Sequence, residues 1–141
     1  MAAADAGDVA RLCGQLGYPT TAEAVAARFL HIARRRDQAV LVAESGGRPI
    51  GWVHVGLHRT LESDPMAEIL GLVIDGSARR RGIGAMLMSE AERWAEDLGC
   101  ATVRVRSRIA REGAHAFYER SGYRRVKTQH VFEKALARQA P

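Results

Sequence analysis

Residues 67–98 read AEILGLVIDGSARRRGIGAMLMSEAERWAEDL, and this stretch decides the fold. It begins with a β-type apolar run, Ala67 to Ile74, and passes through the polar turn Asp75-Gly76-Ser77. From Ile83 to Leu98, apolar residues recur at helical spacing. The stretch therefore predicts a strand, a glycine-bearing turn and a helix. Such an arrangement leaves free backbone N–H groups at the positive end of a helix dipole, where an anion is attracted.

Patterns on either side of this stretch predict a mixed α/β architecture. The additional predicted elements are helices at Asp8–Leu16, Ala22–Arg36 and Gly113–Arg120, and strands at Ala39–Glu44, Pro49–Leu57, Thr102–Arg106, Tyr123–Val126 and His130–Lys134. This order combines hairpins with strand–helix–strand crossovers. We therefore expect a mixed, mostly antiparallel sheet of about six strands, flanked on both faces by about four helices.

The length and composition are those of one ordinary globular domain. The chain has 141 residues, and 47% of them are hydrophobic, so we expect residues 1–141 to form a single domain. No apolar run approaches the roughly 18 residues that a membrane span needs, and the opening MAAADAGDVA lacks the pattern of a signal peptide. Cys13 and Cys100 show no motif spacing. These features predict a cytoplasmic protein with reduced thiols and no membrane partner.

The formal net charge of +5 raises the possibility of a nucleic-acid partner. The distribution of the charge weakens it. The cations comprise 19 arginines and 2 lysines, a bias more typical of a GC-rich genome than of a selected basic surface. Arg34, Arg35 and Arg36 end a predicted helix, where cations suit the helix dipole. We therefore expect no nucleic-acid partner.

The glycine-bearing turn can be compared with two other phosphate-binding motifs. A Walker loop needs a lysine and a hydroxyl residue after its last glycine, but Gly82 is followed by Ile83 and Gly84. A dinucleotide-binding fingerprint needs a third glycine where Leu87 stands. What remains is the pattern R-x-x-G-x-G, formed by Arg79, Gly82 and Gly84.

This pattern, preceded by the strand LGLVI and opening a helix, resembles the acetyl-CoA pyrophosphate loop of the GNAT superfamily of N-acetyltransferases. The stretch AHAFYERSGY, from Ala114 to Tyr123, resembles the second signature of that family. The resemblance extends from Asp8 over nearly the whole chain and implies a GNAT-like acyl-CoA N-acyltransferase fold, acetyl-CoA as co-substrate and a homodimer. Relatives usually begin with a strand before the first helix, but only Met1–Ala4 precede it here. We therefore expect the first strand to be missing or very short, through truncation or because a sheet edge is left to a partner.

The resemblance also implies which residues contact acetyl-CoA. The backbone of Leu72, Val73 and Ile74 is expected to pair with the pantetheine arm, with the N–H of Val73 polarising the thioester oxygen. Arg108 stands where relatives often carry an asparagine that contacts this arm, which leaves that contact open. Backbone N–H groups of the loop are expected to hold the pyrophosphate, and the residues concerned are Arg79, Arg80, Arg81, Gly82, Ile83, Gly84 and Ala85.

Two residues are the candidates for proton transfer. An alkyl amine is almost entirely protonated at pH 7, and supplying its free base costs about 4 kcal/mol, so a base is required. Glu68 resembles the acidic residue of the lysine-acetylating and aminoalkylphosphonate-acetylating branches, acting directly or through a water; the alternative is a solvent-facing strand glutamate. Tyr118 resembles the tyrosine that contacts the cofactor and protonates the departing sulfur; the alternative is a core aromatic. The histidines show no metal-ligand spacing, so we expect no metal.

The leading functional hypothesis is an enzyme that acetylates a primary amine of a small molecule, by direct attack in a ternary complex. The motifs are nearest to the aminoalkylphosphonate and aminoglycoside acetyltransferase branches. A second enzymatic reading is acetylation of a protein N-terminus or a lysine. A third is a non-catalytic acyl-CoA-binding sensor domain. The sequence leaves the identity of the acceptor amine open.

Overall fold

One four-stranded sheet forms the centre of the computed structural model, which describes residues 1–137. Strand β1 pairs with β2 and β2 with β3 in antiparallel fashion, whereas β4 joins β3 in parallel. The expected mixed, mostly antiparallel sheet is thus confirmed, and its order is β1-β2-β3-β4. The strands are β1 (Gln38–Ser45), β2 (Arg48–His58), β3 (Met66–Ile74) and β4 (Val103–Val105).

Residues 1–137 contain four α-helices, as expected: α1 (Ala6–Leu16), α2 (Ala22–Ala33), α3 (Ile83–Asp97) and α4 (Glu112–Arg120). Thr21 begins α2 as its N-cap, since its hydroxyl accepts a hydrogen bond from the N–H of Ala24 at 3.1 Å. The helix ends three residues before the predicted Arg36, because the chain there turns toward β1 and Arg35 pairs with Asp37 instead. Within residues 1–137, no helix has both the length and the apolar character needed to cross a membrane.

The strand count differs from the prediction of about six. Tyr123–Val126 and His130–Lys134, both predicted as strands, form neither helix nor strand. The side chains of Val126, Val131 and Phe132 are 63%, 84% and 92% exposed. A β-type composition favours a strand only where a neighbouring strand and a buried face accompany it. In the described chain these two segments have neither.

The described residues form two compact units, Met1–Arg106 and the residues from Ser107 onward. In the first unit, helices cover both faces of the sheet. Trp52 and Val73 pack into a core with α1 and α2, where Leu12 is fully buried. Gly51, on the opposite face of β2, lies against Leu87 of α3. The second unit contains α4.

The N-terminal edge of the sheet also follows the prediction. Before α1, the chain has a short 3-10 turn at Ala3–Asp5 and no strand. The ammonium group of Met1 donates a hydrogen bond to the carbonyl oxygen of Val40 in β1 at 3.0 Å.

Strand β3 is paired on both sides only along its first half. Strand β4 pairs with Ala67, Glu68 and Ile69 and goes no further. An irregularity in the β2–β3 register falls between His54 and Val55, opposite Leu70, and bends the strand there. From Leu70 to Ile74, the edge of β3 that faces away from β2 has no strand partner among residues 1–137. The outward-facing backbone groups of the second half of β3 are therefore not paired with a strand of the described chain.

Candidate active site

The glycine loop connects the end of β3 to the start of α3. Gly82 is the N-cap of α3 at φ +75°, a left-handed conformation that glycine adopts without steric cost. The first hydrogen bond of the helix runs from the N–H of Met86 to the carbonyl of Gly82 at 3.0 Å. No side chain caps this end of the helix. The N–H groups of Ile83, Gly84 and Ala85 are therefore available to an anion.

The three arginines of the loop, Arg79, Arg80 and Arg81, are all exposed. Arg80 has φ +68° and is the one non-glycine residue with positive φ among residues 1–137. Such a conformation persists only where surrounding contacts impose it, and it occurs preferentially at functional sites. The loop thus combines three positive side chains with a constrained backbone.

The open edge of β3 carries the backbone groups expected to meet the pantetheine arm. Asp75 donates its N–H to the carbonyl of Ile50 at 2.7 Å, so Asp75 faces β2. Because alternate residues of an antiparallel ladder face the same neighbour, Val73 also faces β2. Leu72 and Ile74 direct their backbone groups toward the open edge. The register therefore favours Leu72 and Ile74 over Val73 as the residues that offer backbone hydrogen bonds at this open edge of β3.

Glu68 lies on β3 with its side chain only 15% exposed. Its Oε1 accepts a hydrogen bond from Nε of Arg106 at 2.7 Å, and its Oε2 lies 4.0 Å from Nδ1 of His58. The carboxylate is therefore held in place between β2 and β4, and it is not the freely solvated strand glutamate of the alternative interpretation. One of its oxygens remains without a hydrogen bond from Arg106.

Sequence reasoning missed Arg106 and His58. The signal for Arg106 was the alternation Arg104-Val105-Arg106, which places two arginines on one face of a strand. The parallel register sets Arg104 beside Glu68 and brings Arg106 into reach. That register follows from the crossover through α3 and has no local sequence signature.

Tyr118 lies on α4, in the second unit. Its ring packs edge-on against Phe117 and Tyr123, with ring centroids 5.3 and 6.1 Å away. Burial raises the pKa of the Tyr118 hydroxyl above its usual value, so the group keeps its proton at neutral pH, as a general acid must. Arg108 belongs to the same unit and is exposed. Its carbonyl oxygen lies 2.7 Å from Nε2 of His115, a contact that gives His115 a structural role.

The first unit brings most of the predicted site together on one continuous segment. Glu68, Leu72 and Ile74 follow one another along β3, and the loop from Arg79 to Ala85 continues from its end. Within residues 1–137, no three His, Cys, Asp or Glu side chains are grouped as metal ligands.

Comparisons with known proteins show the family to which the chain belongs. The model of the GNAT acetyltransferase family matches residues 8–123. A curated relative, an uncharacterized N-acetyltransferase of Methanocaldococcus jannaschii, is 30% identical over 97 residues; the match covers 67% of this chain and 43% of that protein. Another, an aminoglycoside N(6')-acetyltransferase type 1 of Klebsiella aerogenes, is 28% identical over 114 residues, covering 78% of this chain and 75% of that protein.

Solved structures share the fold at low identity. An aminoglycoside N-acetyltransferase, AAC(6')-Iy, in complex with CoA superposes with a TM-score of 0.86 at 20% identity, covering 95% of this chain and 91% of that one. The family match over most of the chain decides the classification: this chain belongs to the GNAT family of acetyltransferases. The resemblance of R-x-x-G-x-G and AHAFYERSGY to that family is thereby confirmed.

Proposed function

We propose that residues 1–141 form one N-acetyltransferase domain that transfers the acetyl group of acetyl-CoA to a primary amine of a small molecule. One observation carries this proposal: the loop 75–82 links the uncapped N–H groups at the start of α3 to the half of β3 whose outer edge, among residues 1–137, has no strand partner. A pyrophosphate fits the first feature, because it is an anion. An extended amide-containing arm fits the second, because it supplies the missing hydrogen bonds.

The cofactor contacts follow from this arrangement. The N–H groups from Arg79 to Ala85 hold the pyrophosphate, and the three arginine side chains add positive charge. The pantetheine arm pairs with Leu72 and Ile74. The N–H of Leu72 or Ile74 polarises the thioester oxygen, in place of the N–H of Val73 that was first expected to do so. Contact between Arg108 and the arm stays a prediction.

The transfer step needs positioning and two proton movements. The amine nitrogen attacks the thioester carbon in a ternary complex, and a C–N bond forms as the C–S bond breaks. Glu68 receives the amine proton, directly or through a water, at the oxygen that Arg106 leaves open. Tyr118 donates its proton to the departing CoA thiolate. Each proton transfer contributes about 10²–10⁴-fold to the rate.

The small-molecule acceptor is proposed from the aminoglycoside acetyltransferase relative, which is similar over three quarters of its own length. Acetylation of a protein N-terminus or lysine and a non-catalytic acyl-CoA sensor are the alternatives that an acceptor panel distinguishes. We further propose a cytoplasmic homodimer that has no nucleic-acid or membrane partner.

Binding of acetyl-CoA is tested by calorimetry on wild type and two glycine variants. Gly82 and Gly99 lie at opposite ends of α3 with φ of +75° and +83°, and a Cβ at either meets nothing within 4 Å. Gly82→Val and Gly99→Val therefore impose similar backbone strain. We expect only Gly82→Val to weaken acetyl-CoA binding, by about tenfold or more, because strain there distorts the loop that holds the pyrophosphate. Absence of binding by the wild-type protein would contradict the proposal.

A further inference from the structure

Asp75, between β3 and the glycine loop, is the centre of a hydrogen-bond network. Its Oδ2 accepts from Nη1 of Arg11 at 2.7 Å. Its Oδ1 accepts from both the N–H and the hydroxyl of Ser77 at 3.1 Å, and from Nε2 of Gln15 at 3.5 Å. Gln15 also accepts, through its Oε1, a hydrogen bond from the N–H of Gly76 at 2.9 Å. Three consecutive residues at the start of the loop are thus fixed by side chains.

Two of these side chains come from α1, far away in the sequence. Arg11 and Gln15 are four residues apart and therefore project from the same face of the helix. The helix itself is anchored, because Val9 and fully buried Leu12 belong to the core cluster under the sheet. Arg11 further donates from Nη2 to the carbonyl of Pro49 at 3.3 Å, which ties it to the start of β2. Arg11 and Gln15 therefore contact the loop from a helix that is held in place by the core.

The charges in this network matter for an anionic ligand. Asp75 is a carboxylate on the segment that leads to the phosphate-binding N–H groups, and an uncompensated negative charge there would oppose a pyrophosphate. The ion pair with Arg11 compensates it. The hydrogen bond from Arg11 and those from Ser77 hold the pKa of Asp75 well below its usual value, so this ion pair is present at neutral pH.

We infer that Arg11 and Gln15 are positioning residues, which act through Asp75 and Gly76 to hold the glycine loop in the conformation that binds the CoA pyrophosphate. This assignment rests on the proposed function. A loop that is ordered before binding loses less conformational entropy when the ligand arrives. The left-handed Arg80 lies five residues beyond Asp75, in the same loop.

The test compares Arg11→Gln with a matched control, Arg48→Gln. Both arginines pair with Asp8 of α1, at 3.5 and 2.8 Å, but only Arg11 hydrogen-bonds to Asp75. We expect Arg11→Gln and Asp75→Asn to weaken CoA binding in calorimetry by about five- to tenfold, and Arg48→Gln to leave it within about twofold. The double variant Arg11→Gln/Asp75→Asn should lose no more than the stronger single variant, because both disrupt one network.

A second readout separates positioning from general damage to the fold. S-acetylpantetheine is an acyl donor that lacks the pyrophosphate. The same variants should raise the KM for acetyl-CoA while kcat at saturating acetyl-CoA, and kcat/KM with S-acetylpantetheine, stay close to wild type. If Arg11→Gln does not fold, Gln15→Ala can replace it in this test, because Gln15 is exposed. This variant removes the hydrogen bond that Gln15 accepts from the N–H of Gly76.

Three results would overturn the assignment. The first is that Arg11→Gln and Gln15→Ala bind CoA as tightly as wild type. The second is that Arg48→Gln weakens CoA binding as much as Arg11→Gln does. The third is that the variants lose as much activity with S-acetylpantetheine as with acetyl-CoA. Each of these leaves the proposed function intact. Failure of the wild-type protein to bind acetyl-CoA would instead overturn the proposed function, and this assignment with it.

Discussion

Glu68, the proposed base, shows how much the setting of a side chain depends on partners outside its own motif. Its position before LGLVI pointed to a base from the sequence alone. The side chains beside it are Arg106, directly after β4, and His58, at the end of β2, so they come from different parts of the sheet. Gly82 is the opposite case, since the R-x-x-G-x-G pattern identified it and its left-handed φ is a local property. Residues whose roles depend on backbone conformation were thus more predictable than those whose roles depend on neighbours.

The roles of Glu68 and Tyr118 can be tested by removing one proton-transfer group at a time. Glu68→Gln keeps the size and a hydrogen-bond acceptor for Arg106, and Tyr118→Phe keeps the ring contacts with Phe117 and Tyr123. We expect each variant to lower kcat by about 10²–10⁴-fold with little change in the affinity for acetyl-CoA. Release of the CoA thiol, followed by a chromogenic disulfide, measures this. If both variants turned over at the wild-type rate, the two assignments would be wrong.

At the scale of the element, the helices and the first three strands were predicted to within a few residues of their bounds. Their periodicity is strong, and capping residues such as Thr21 mark where they begin. The closing strands at Tyr123–Val126 and His130–Lys134 were predicted wrongly, because β-branched and aromatic residues indicate a strand only if a partner strand is present. The register irregularity between β2 and β3, opposite Leu70, has no composition signal of its own.

The middle of β3 depends on a glycine that lets an aromatic ring lie over the strand. A Cβ on Gly71 would stand 2.7 Å from two ring atoms of Trp52, which is buried in the core under α1. We expect Gly71→Ala to destabilise the protein by about 1–3 kcal/mol, since the buried ring would have to shift to make room for the methyl group. Urea unfolding measures the change.

Gly14→Ala is the matched control, because Gly14 lies inside α1 with nothing within 4 Å of its would-be Cβ. Gly14→Ala should stabilise the protein by about 0.5–1 kcal/mol, because alanine has a higher helix propensity than glycine. Equal stability of Gly71→Ala and wild type would show that the Trp52 ring does not depend on this glycine.

For the molecule as a whole, charge and geometry serve the same proposed ligand. The net charge of +5 favours the approach of a polyanion such as CoA. In the proposed complex, the specific contacts come from the backbone of β3 and of the start of α3. The family was predictable from two motifs, because the loop and the α4 signature both report on cofactor binding. The acceptor amine was not predictable from the sequence, because acceptor contacts come from side chains that tertiary structure brings together, such as those around Glu68.

The most direct test of the central claim is to incubate the purified protein with acetyl-CoA and a panel of amines, and to detect acetylated products by mass spectrometry. The panel contains aminoglycosides, aminoalkylphosphonates, amino acids and peptides with free N-termini or lysines. We predict an N-acetylated small molecule formed in a one-to-one ratio with free CoA. Acetylation of peptides alone would contradict the small-molecule assignment, and tight acetyl-CoA binding without acetylation of any amine would contradict the claim that this domain is an N-acetyltransferase.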